Sequence, residues 1–426
     1  MAGRNYLRSV VKFGGSSLAD AKALARATSL VTASSPNLRR QHVVVSAPGK
    51  RDDADVKVTD LLLAAQSCAA SSDSLNFDHL FADQIAPRFP NINVSTTAAD
   101  IYDRAQNSNK QLQSIDFTVS RGEFLNGQVV AQALDGYDFV DPADGFIVFD
   151  PNTRELDLSA TLDAIRRTVG KELPERNGVV VPGFYGSIRG NASDIVTFSR
   201  GGSDITASLI AAALDDHDVL HGFKQASQHS SFVVHENFTD VDGIYNVDPR
   251  IARAATVSAS LLATVGYNQC RAMALAGASV LHPDAIVPLQ QRNVPIWVRN
   301  SFTDTHDDPA VDALDSSGDG FTCVQHVELD CNGSNIVLAI CSQQNIITFV
   351  CKNKVKTTRI VELIQQLTRA IVKQSSSTNV EDLSIGQEDL SWKHESDLCF
   401  SVEIDSGAVG PHIDQVVGLC FEHVMA

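Results

Sequence analysis

The feature that most constrains the fold is a regular alternation of short apolar runs and longer amphipathic segments over the first 300 residues. Uninterrupted valine runs occur at 43–45 and again at 179–181. A strand that is apolar at every position is typical of a sheet covered on both faces, and strands that alternate with helices favour parallel pairing. The sequence therefore predicts an α/β layer structure with a mostly parallel sheet.

The bounds of the predicted elements follow from the apolar periodicity of each segment. Strands are predicted at Ser9–Phe13, His42–Ser46, Phe139–Val140, Gly145–Phe149, Gly178–Val181, Phe232–His235 and Pro295–Val298. Helices are predicted at Asp20–Ala33, Thr59–Ala70, Gly122–Leu134, Leu158–Val169, Asp204–Ala213, Gln269–Ala276 and Pro283–Gln291.

The composition changes after residue 302. Residues 303–330 contain eight Asp or Glu and no Lys or Arg, which predicts a solvated acidic connector. Beyond it, strands are predicted at Asn335–Ile340, Ile346–Val350 and Cys399–Ile404, and an amphipathic helix at Thr358–Val372. The predicted organisation is a domain over 1–302, a connector over 303–330 and a small α+β module over 331–426.

Charge, hydropathy and cysteine usage exclude several classes of protein. The 34 Lys and Arg against 51 Asp and Glu give a net charge of −17, which opposes binding to nucleic acids and to anionic membranes. Residues 1–12 contain no apolar run of signal-peptide length, and the sequence has no run of about 18 apolar residues. The eight cysteines form no C-x-x-C pair, a pattern typical of reduced thiols. We therefore expect a cytoplasmic protein.

A glycine pair follows the first predicted strand, in the segment that runs from Lys12 through Gly14 and Gly15 to Ser16. Glycines let backbone N–H groups approach a phosphate closely, and a helix N-terminus favours an anion. Lys12 can place a positive charge on a transferring phosphoryl group. The segment is not a Walker A loop. The alternative is a plain strand-to-helix turn with a solvated lysine.

A second glycine pair, Gly201 and Gly202, opens a predicted helix. Arg200 precedes it and can form a bidentate pair with a substrate carboxylate. Asp204, after Ser203, can orient the lysine of the first motif or hold a metal. The alternative for Asp204 is an acidic residue that the helix dipole favours in the first turn.

A third motif, Ser120-Arg121-Gly122-Glu123, is predicted to open a helix. The Glu123 carboxylate suits recognition of an amino group. The alternative is an acidic side chain favoured near a helix N-terminus.

A fourth motif spans residues 239–250, where Asp-Gly and Asp-Pro pairs predict a tight hairpin-like loop. Within it, Tyr245 can flank an adenine or a ribose, and Arg250 can meet a phosphate. The alternative is an ordinary turn with exposed aspartates.

Taken together and in this order, the motifs resemble those of aspartate kinases. The matching segments are KFGGSS (12–17), SAPGK (46–50), VTDLL (58–62), SRGE (120–123), FSRGGSD (198–204), TDVDGIYNVDPR (239–250) and GASVLHPDAI (277–286). The resemblance covers residues 8–302. It implies the amino-acid-kinase fold, a three-layer α/β/α sandwich around a mostly parallel sheet.

The resemblance also implies a reaction, which is transfer of the ATP γ-phosphate to the β-carboxylate of L-aspartate. The products are 4-phospho-L-aspartate and ADP, the first step of lysine, threonine and methionine biosynthesis, with ATP and Mg²⁺ as cofactors. Two alternatives stay open: a catalytically weak regulatory paralogue, and an amino-acid kinase with another carboxylate substrate. The SRGE and FSRGGSD motifs favour aspartate.

The resemblance implies a role for each matching site residue. Catalytic roles fall on Lys12 and Asp204. Aspartate binding falls on Ser46, Thr59, Glu123, Arg200 and Ser203. Nucleotide binding falls on Lys12, Gly14, Gly15, Ser16, Gly201, Gly202, Thr239, Asp240, Tyr245, Arg250, Ser279 and Val280. No residue is assigned to a protein-bound metal.

Three segments depart from the family pattern. Ser279 stands where the family often has lysine. Residues 215–235 form a longer connection with several histidines, for which a polar excursion is favoured over a metal site. Residues 331–426 resemble an ACT-like regulatory region but are short for two modules. That region implies a lysine or threonine effector and a homodimer or higher homo-oligomer.

Overall fold

The structure is a computed structural model. It describes residues 7–33, 38–106, 111–170, 178–199, 201–220, 233–255, 257–278, 280–303, 320–326, 337–344, 346–352, 364–369, 371, 390–396, 399–404, 414–417 and 420–421. The chain divides into two compact units. Unit 1 comprises Met1–Asp242 and Val287–Gly318, and unit 2 comprises Gly243–Ile286 and Asp319–Ala426.

A parallel sheet runs through unit 1 in the order β3-β5-β2-β1-β8-β10, and each neighbouring pair is parallel. Its strands are β1 (Leu7–Phe13), β2 (Leu38–Val45), β3 (Tyr137–Phe139), β5 (Gly178–Pro182), β8 (Val233–Thr239) and β10 (Ile296–Asn300). The valines at 43–45 and 179–181 lie in adjacent strands and are buried, which confirms the mostly parallel sheet that these runs predict.

Helices cover both faces of this sheet. The helices of unit 1 are α1 (Ala21–Thr32), α2 (Val58–Ala70), α3 (Ser74–His79), α4 (Ser95–Ala105), α5 (Gln111–Ala133), α6 (Leu158–Val169) and α7 (Gly202–Leu220), and α10 (Pro283–Arg292) contains the division between the units. Val11 and Phe13 of β1 share one core with α1 and α5. Lys12 points to the opposite face, because side chains alternate along a strand, and there it meets Asp204 of α7. The predicted three-layer α/β/α sandwich is confirmed.

Part of unit 1 was not apparent from the sequence. The strand predicted over 145–149 is shortened to β4 (Val148–Phe149), which belongs to a separate three-stranded sheet. Its other strands, β6 (Tyr185–Ile188) and β7 (Asn191–Thr197), pair as an antiparallel hairpin.

The third motif lies inside a helix, so the prediction that it opens one is wrong. The helix α5 begins at Gln111, nine residues before Ser120. Gly122 is required by packing: a Cβ there would lie 2.8 Å from the Ala47 Cβ, so the glycine lets α5 approach the loop that follows β2.

A buried ion cluster joins three strands of the sheet. Glu236 of β8 lies 2.8 Å from Arg40 of β2 and 2.8 Å from Arg299 of β10, and it also accepts a hydrogen bond from the Ser9 hydroxyl. Burial raises the pKa of the Glu236 carboxyl, but the two guanidinium groups more than offset this and lower it to about 2. The Glu236 carboxyl is therefore ionised at neutral pH.

Unit 2 contains a parallel pair of strands and an antiparallel sheet. A parallel pair is formed by β9 (Thr264–Gly266) and β11 (Thr322–Gln325), and an antiparallel sheet has the order β12-β13-β15-β14. The strands of the second sheet are β12 (Val337–Gln343), β13 (Ile346–Cys351), β14 (Leu390–Ser396) and β15 (Cys399–Ile404), and the helices of unit 2 are α8 (Pro249–Ala254) and α9 (Tyr267–Leu275).

The antiparallel sheet has one apolar face. Phe349 and Phe400 stack there with ring centroids 4.8 Å apart, and Leu367 and Val416 from helical segments pack against them. This arrangement is compatible with the predicted ACT-like module. The buried strand β11 lies within the segment predicted as a solvated connector, so that prediction is wrong at residues 322–325; the other predicted domain boundaries stay predictions.

No helix among the described residues is long and apolar enough to cross a membrane. The seven cysteines in the described part of the chain are free thiols.

Candidate active site

The parallel strands β1, β2 and β8 end at one edge of the sheet in unit 1. Phe13, the last residue of β1, is paired with Val45 of β2 and Phe238 of β8. The residues that follow these strands, among them Gly14 and Ser46, therefore lie side by side. The carboxyl edge of a parallel sheet is where such folds bind ligands.

Lys12 and Asp204 form an ion pair at this edge. The Lys12 Nζ lies 2.7 Å from the Asp204 Oδ1, and the two side chains are only 11% and 13% exposed. Asp204 lies in the first turn of α7, so the lysine is held beside a helix N-terminus, where anions are favoured. Asp204 therefore lies where it can orient Lys12, as the sequence predicts.

His235 ends the histidine-containing segment 215–235. Its side chain lies on the same face of β8 as that of Asn237, the residue paired with Lys12. Its Nδ1 is 3.0 Å from the Val10 carbonyl oxygen, so this nitrogen carries the hydrogen. Burial lowers the pKa of His235 to about 4, and the ring is neutral at pH 7. His221 and His229 lie outside the described residues, as does the His217 side chain.

The first glycine loop, Gly14–Ser16, is shaped by a close backbone contact. The Gly49 N–H donates to the Gly15 carbonyl at 2.8 Å, and a Cβ on Gly15 would lie 2.9 Å from the Ala47 carbonyl oxygen. The N–H groups of Gly15 and Ser16 have no hydrogen-bond acceptor among the described residues. Two adjacent backbone donors are thus available to an anionic ligand.

The second glycine loop brings α7 against the turn between β5 and β6. A Cβ on Gly202 would lie 2.6 Å from the Phe184 Cα, and Gly201 has a φ of +59°. Ser203 is buried at the start of the helix. Arg200, the predicted carboxylate clamp, lies outside the described residues.

Glu123 has an unusual carboxyl group. It is buried, accepts a hydrogen bond from the Ala47 N–H, and has its Oε2 without a hydrogen-bond partner among the described residues. Burial raises the pKa of Glu123 to about 8. Because Ala47 also contacts Gly15, this carboxyl group lies next to the first glycine loop. The charge of Arg121 and the backbone hydrogen bonds favour the ionised carboxylate, but they offset the effect of burial only in part.

Ser46 begins the segment between β2 and α2, Thr59 lies in the first turn of α2, and both are half-buried. Arg88 holds this segment in place: its buried guanidinium lies 3.1 Å from the Asp55 carboxylate and donates to the Gly49 carbonyl. The role of Arg88 is not apparent from the sequence, because a lone arginine after an apolar helix does not indicate which residues it pairs with.

The predicted nucleotide residues fall in both units. Thr239 ends β8, and its hydroxyl donates to the exposed Asp240 at 3.2 Å in unit 1. Tyr245 and Val280 are half-buried in unit 2, where the backbone of Tyr245 forms an isolated antiparallel β-bridge with that of Leu261. Ser279 lies outside the described residues.

Arg250, also in unit 2, forms an ion pair with a residue two positions before it in the sequence. Its side chain is 88% exposed and lies 2.7 Å from Asp248. Asp248 caps the N-terminus of α8 by accepting from the Arg250 N–H at 2.8 Å. The Asp-Pro pair therefore begins a helix, and the prediction of a hairpin-like loop is wrong at this point.

The described residues contain no group of three His, Cys, Asp or Glu side chains placed to hold a metal ion. A divalent cation that enters with nucleotide phosphates needs one or two protein carboxylates rather than a cage. Asp204 and Asp240 are the carboxylates of the predicted site in unit 1 that fit this requirement.

Comparisons with known proteins agree with the motif order. A model of the amino acid kinase family matches residues 8–220 and 235–300. Aspartokinase 3 of Bacillus subtilis is 32% identical over 311 residues, which are 68% of this chain and 61% of that protein. The aspartokinase of Mycobacterium tuberculosis is 30% identical over 301 residues, 69% of this chain and 55% of that protein. The chain thus spans little more than half the length of these curated relatives.

Solved structures show the same fold. The aspartate kinase of Clostridium acetobutylicum superposes with a TM-score of 0.61 and 25% identity, over 97% of this chain and 82% of that one. The E. coli aspartokinase III in complex with lysine and aspartate superposes with a TM-score of 0.55 and 22% identity, over the same shares of the two chains. Because the family model covers both glycine loops and the strands that position them, the chain belongs to the amino acid kinase family.

Proposed function

We propose that the protein is an aspartate kinase, which transfers the γ-phosphate of ATP to the β-carboxylate of L-aspartate. The observation that carries the proposal is the Lys12–Asp204 pair, held at the carboxyl edge of the sheet beside the two glycine loops. The similarity to curated aspartokinases supports the choice of substrate.

The proposed chemistry needs no covalent enzyme intermediate, because the β-carboxylate of aspartate is a nucleophile that is already ionised at neutral pH. An oxygen of this carboxylate attacks the γ-phosphorus, and the bond to the β–γ bridging oxygen breaks, so ADP leaves with the electron pair. Lys12 and the N–H groups of Gly15 and Ser16 stabilise the negative charge on the phosphoryl oxygens. Mg²⁺ bound to the nucleotide adds positive charge at the phosphates.

Glu123 is the proposed partner of the substrate ammonium. Its unpartnered Oε2 is a buried acceptor that a cation would satisfy, and an adjacent ammonium would favour the ionised carboxylate. Arg200 is the proposed partner of a substrate carboxylate. Ser46, Thr59 and Ser203 are proposed to complete the aspartate site.

The test is a hydroxylamine-trapping assay with purified protein, Mg-ATP and L-aspartate. Aspartyl hydroxamate should form with the wild type and fall at least 1,000-fold in Lys12→Ala. Unchanged turnover in that variant would remove Lys12 from the mechanism. Binding of ATP and aspartate without turnover would favour the regulatory paralogue, and faster turnover with L-glutamate would favour a different carboxylate substrate.

The regulatory and assembly features are also proposals. We propose a homodimer that responds to lysine or threonine and works in the cytoplasm, since the antiparallel sheet of unit 2 is compatible with an ACT-like module. Light scattering of the purified chain tests the dimer. The trapping assay with 5–10 mM of each added amino acid tests the effector; these concentrations are roughly 100 times a Kd of 0.05–0.1 mM.

A further inference from the structure

A buried histidine lies below Lys12 on the same face of the sheet in unit 1. In the parallel register of β1 and β8, Asn237 is opposite Lys12 and His235 is opposite Val10. Side chains two residues apart on a strand share a face, so the His235 imidazole and the Lys12 side chain extend to the same side. His235 is fully buried, and it lies further from the carboxyl edge of the sheet than the lysine does.

One nitrogen of this imidazole has a hydrogen-bond partner among the described residues, and the other has none. The Nδ1 carries the hydrogen and donates to the Val10 carbonyl at 3.0 Å, which makes Nε2 an acceptor. Nε2 is buried and accepts no hydrogen bond from any residue that the structure describes. A buried acceptor without a donor is unfavourable, and a donor that reaches it when a ligand binds would recover that cost.

The charged groups around His235 include one that can donate to Nε2. Burial lowers the pKa of His235 to about 4, and the charges of Asp204, Lys12 and Glu236 also act on it. Asp204 and Glu236 are carboxylates, which accept hydrogen bonds when ionised, and Glu236 faces the opposite side of β8. Lys12 is therefore the donor among these three. Its ammonium has three N–H groups, and the 2.7 Å contact with Asp204 uses one of them.

We propose that His235 is a positioning residue for Lys12, and that its Nε2 accepts a hydrogen bond from the Lys12 ammonium when the ammonium contacts the ATP phosphates. The inference rests on the proposed role of Lys12 in phosphoryl transfer. A carboxylate neighbour offsets the positive charge of a lysine, whereas a neutral imidazole fixes the direction of the ammonium and leaves its charge for the phosphoryl oxygens. His235 acts through Lys12 and contacts neither ATP nor aspartate.

Two substitutions of His235 separate the roles of the two ring nitrogens. A glutamine amide reaches the position of Nε2 and supplies an oxygen acceptor there, but it loses the donor to Val10. An asparagine amide keeps the donor near Nδ1 and loses the acceptor. In the hydroxylamine-trapping assay, the kcat of His235→Asn should fall roughly 10- to 100-fold, which is the effect of one lost hydrogen bond to a charged group, with little change in the KM for aspartate. His235→Gln should keep a kcat close to that of the wild type.

The order of these two variants distinguishes positioning of Lys12 from a structural role. If His235 serves only to tie β8 to β1 through Nδ1, His235→Asn keeps its activity and His235→Gln loses it. That order overturns the proposal, and so does an equal change of kcat in both variants.

His42 offers a matched control in the neighbouring strand. It is buried in β2 on the other side of Val10, where its Nε2 lies 3.3 Å from the Val169 carbonyl oxygen. His42→Asn and His42→Gln remove a buried imidazole at the same depth in the sheet, and both should keep a kcat close to that of the wild type. A loss of kcat in these variants as large as in His235→Asn would assign the effect to packing of the sheet and overturn the proposal.

A measurement on the native imidazole depends neither on turnover nor on the stability of a His235 variant. In protein labelled with ¹⁵N-histidine, the Nε2 resonance of His235 is assigned among the 12 histidines by its loss in His235→Gln or His235→Asn. It should move when the Mg²⁺ complex of β,γ-imido-ATP is added to saturation. In Lys12→Met the same addition should leave it unmoved, because the donor is gone.

Calorimetry of nucleotide binding to the same samples separates failure of this inference from failure of the proposed function. No binding to the wild type contradicts both. Binding that leaves the Nε2 resonance unmoved, or that moves it equally in Lys12→Met, overturns the role of His235 and does not contradict the kinase. Movement that requires Lys12, without formation of aspartyl hydroxamate, supports the role of His235 and contradicts aspartate as the substrate.

Discussion

Substitution of Glu123 by glutamine should change how the stability of unit 1 depends on pH. Burial raises the pKa of this carboxyl from 4.5 to about 8. The folded state therefore binds more protons than the unfolded state between these values, and stability falls as pH rises through this window. Each pH unit corresponds to about 1.4 kcal/mol, so the free energy of unfolding should fall by about 4 kcal/mol between pH 5 and pH 9 relative to Glu123→Gln.

The measurement is urea unfolding at pH 5, 7 and 9, followed by the fluorescence of Trp297. This tryptophan is fully buried in β10, and Trp392→Phe as the common background removes the other one. Glu155→Gln, which removes an exposed carboxylate of the same unit, should leave the pH dependence as it is in the background protein. A difference between the Glu123→Gln and background curves that stays within 1 kcal/mol from pH 5 to 9 would refute the reasoning.

The same pKa gives a signature of substrate binding. At pH 7 a group with a pKa near 8 is about 90% protonated, and an ammonium placed beside Glu123 would ionise it. Binding of L-aspartate should therefore release about 0.9 proton, measured by calorimetry in buffers of different ionisation enthalpy. Glu123→Gln should bind aspartate more weakly and without this proton release. Equal proton release in both proteins would place the ammonium elsewhere.

Further predictions concern the loops and the buried charges. Lys12→Arg keeps the charge but not its compact position, and turnover should fall at least 100-fold with little change in melting temperature. Gly49→Ala should raise the KM for ATP and lower the melting temperature, since its Cβ would lie 2.6 Å from the backbone of the first glycine loop; Gly14→Ala, with contacts no closer than 3.6 Å, should cost little stability. Arg88→Met should raise the KM for aspartate more than it lowers kcat, since it releases the loop before α2. Glu236→Gln should lower the free energy of unfolding by about 3–5 kcal/mol, measured by urea unfolding, because it leaves two buried guanidinium groups without a counter-charge.

The layer architecture was predictable because its signal is local and repeated. Valine runs such as 43–45 can be buried on both faces only inside a covered sheet, and β2 and β5 contain them as expected. The first glycine loop was predictable for the same reason, since a strand, two glycines and a helix start are contiguous in the sequence. The contact of this loop with Gly49 was not predictable. Two backbone segments that pack closely require a glycine, but a glycine in the sequence does not indicate which segment it packs against.

The third motif shows where local patterns mislead. Gly122 is a poor helix former, and a helix beginning there is the simplest local interpretation. In the fold, the cost of a mid-helix glycine is offset by the close packing of α5 on Ala47, which brings Glu123 to the sheet edge. The partners of Glu236 are equally hidden, because a charge within an apolar run does not indicate which distant arginine neutralises it.

The net charge of −17 and the proposed binding of ATP are reconciled by where the cations lie. Arg40 and Arg299 are neutralised inside the sheet by Glu236, so neither contributes to an anion site. Lys12 is paired with Asp204, and Glu123 is mostly uncharged at pH 7 without a ligand. Attraction of the nucleotide therefore depends on hydrogen-bond donors that act at short range. These donors are the N–H groups of Gly15 and Ser16 and the Lys12 ammonium, which would exchange the Asp204 oxygen for a phosphate oxygen. Such contacts are directional and act within about 3 Å, so an acidic chain can hold a phosphate without a basic surface.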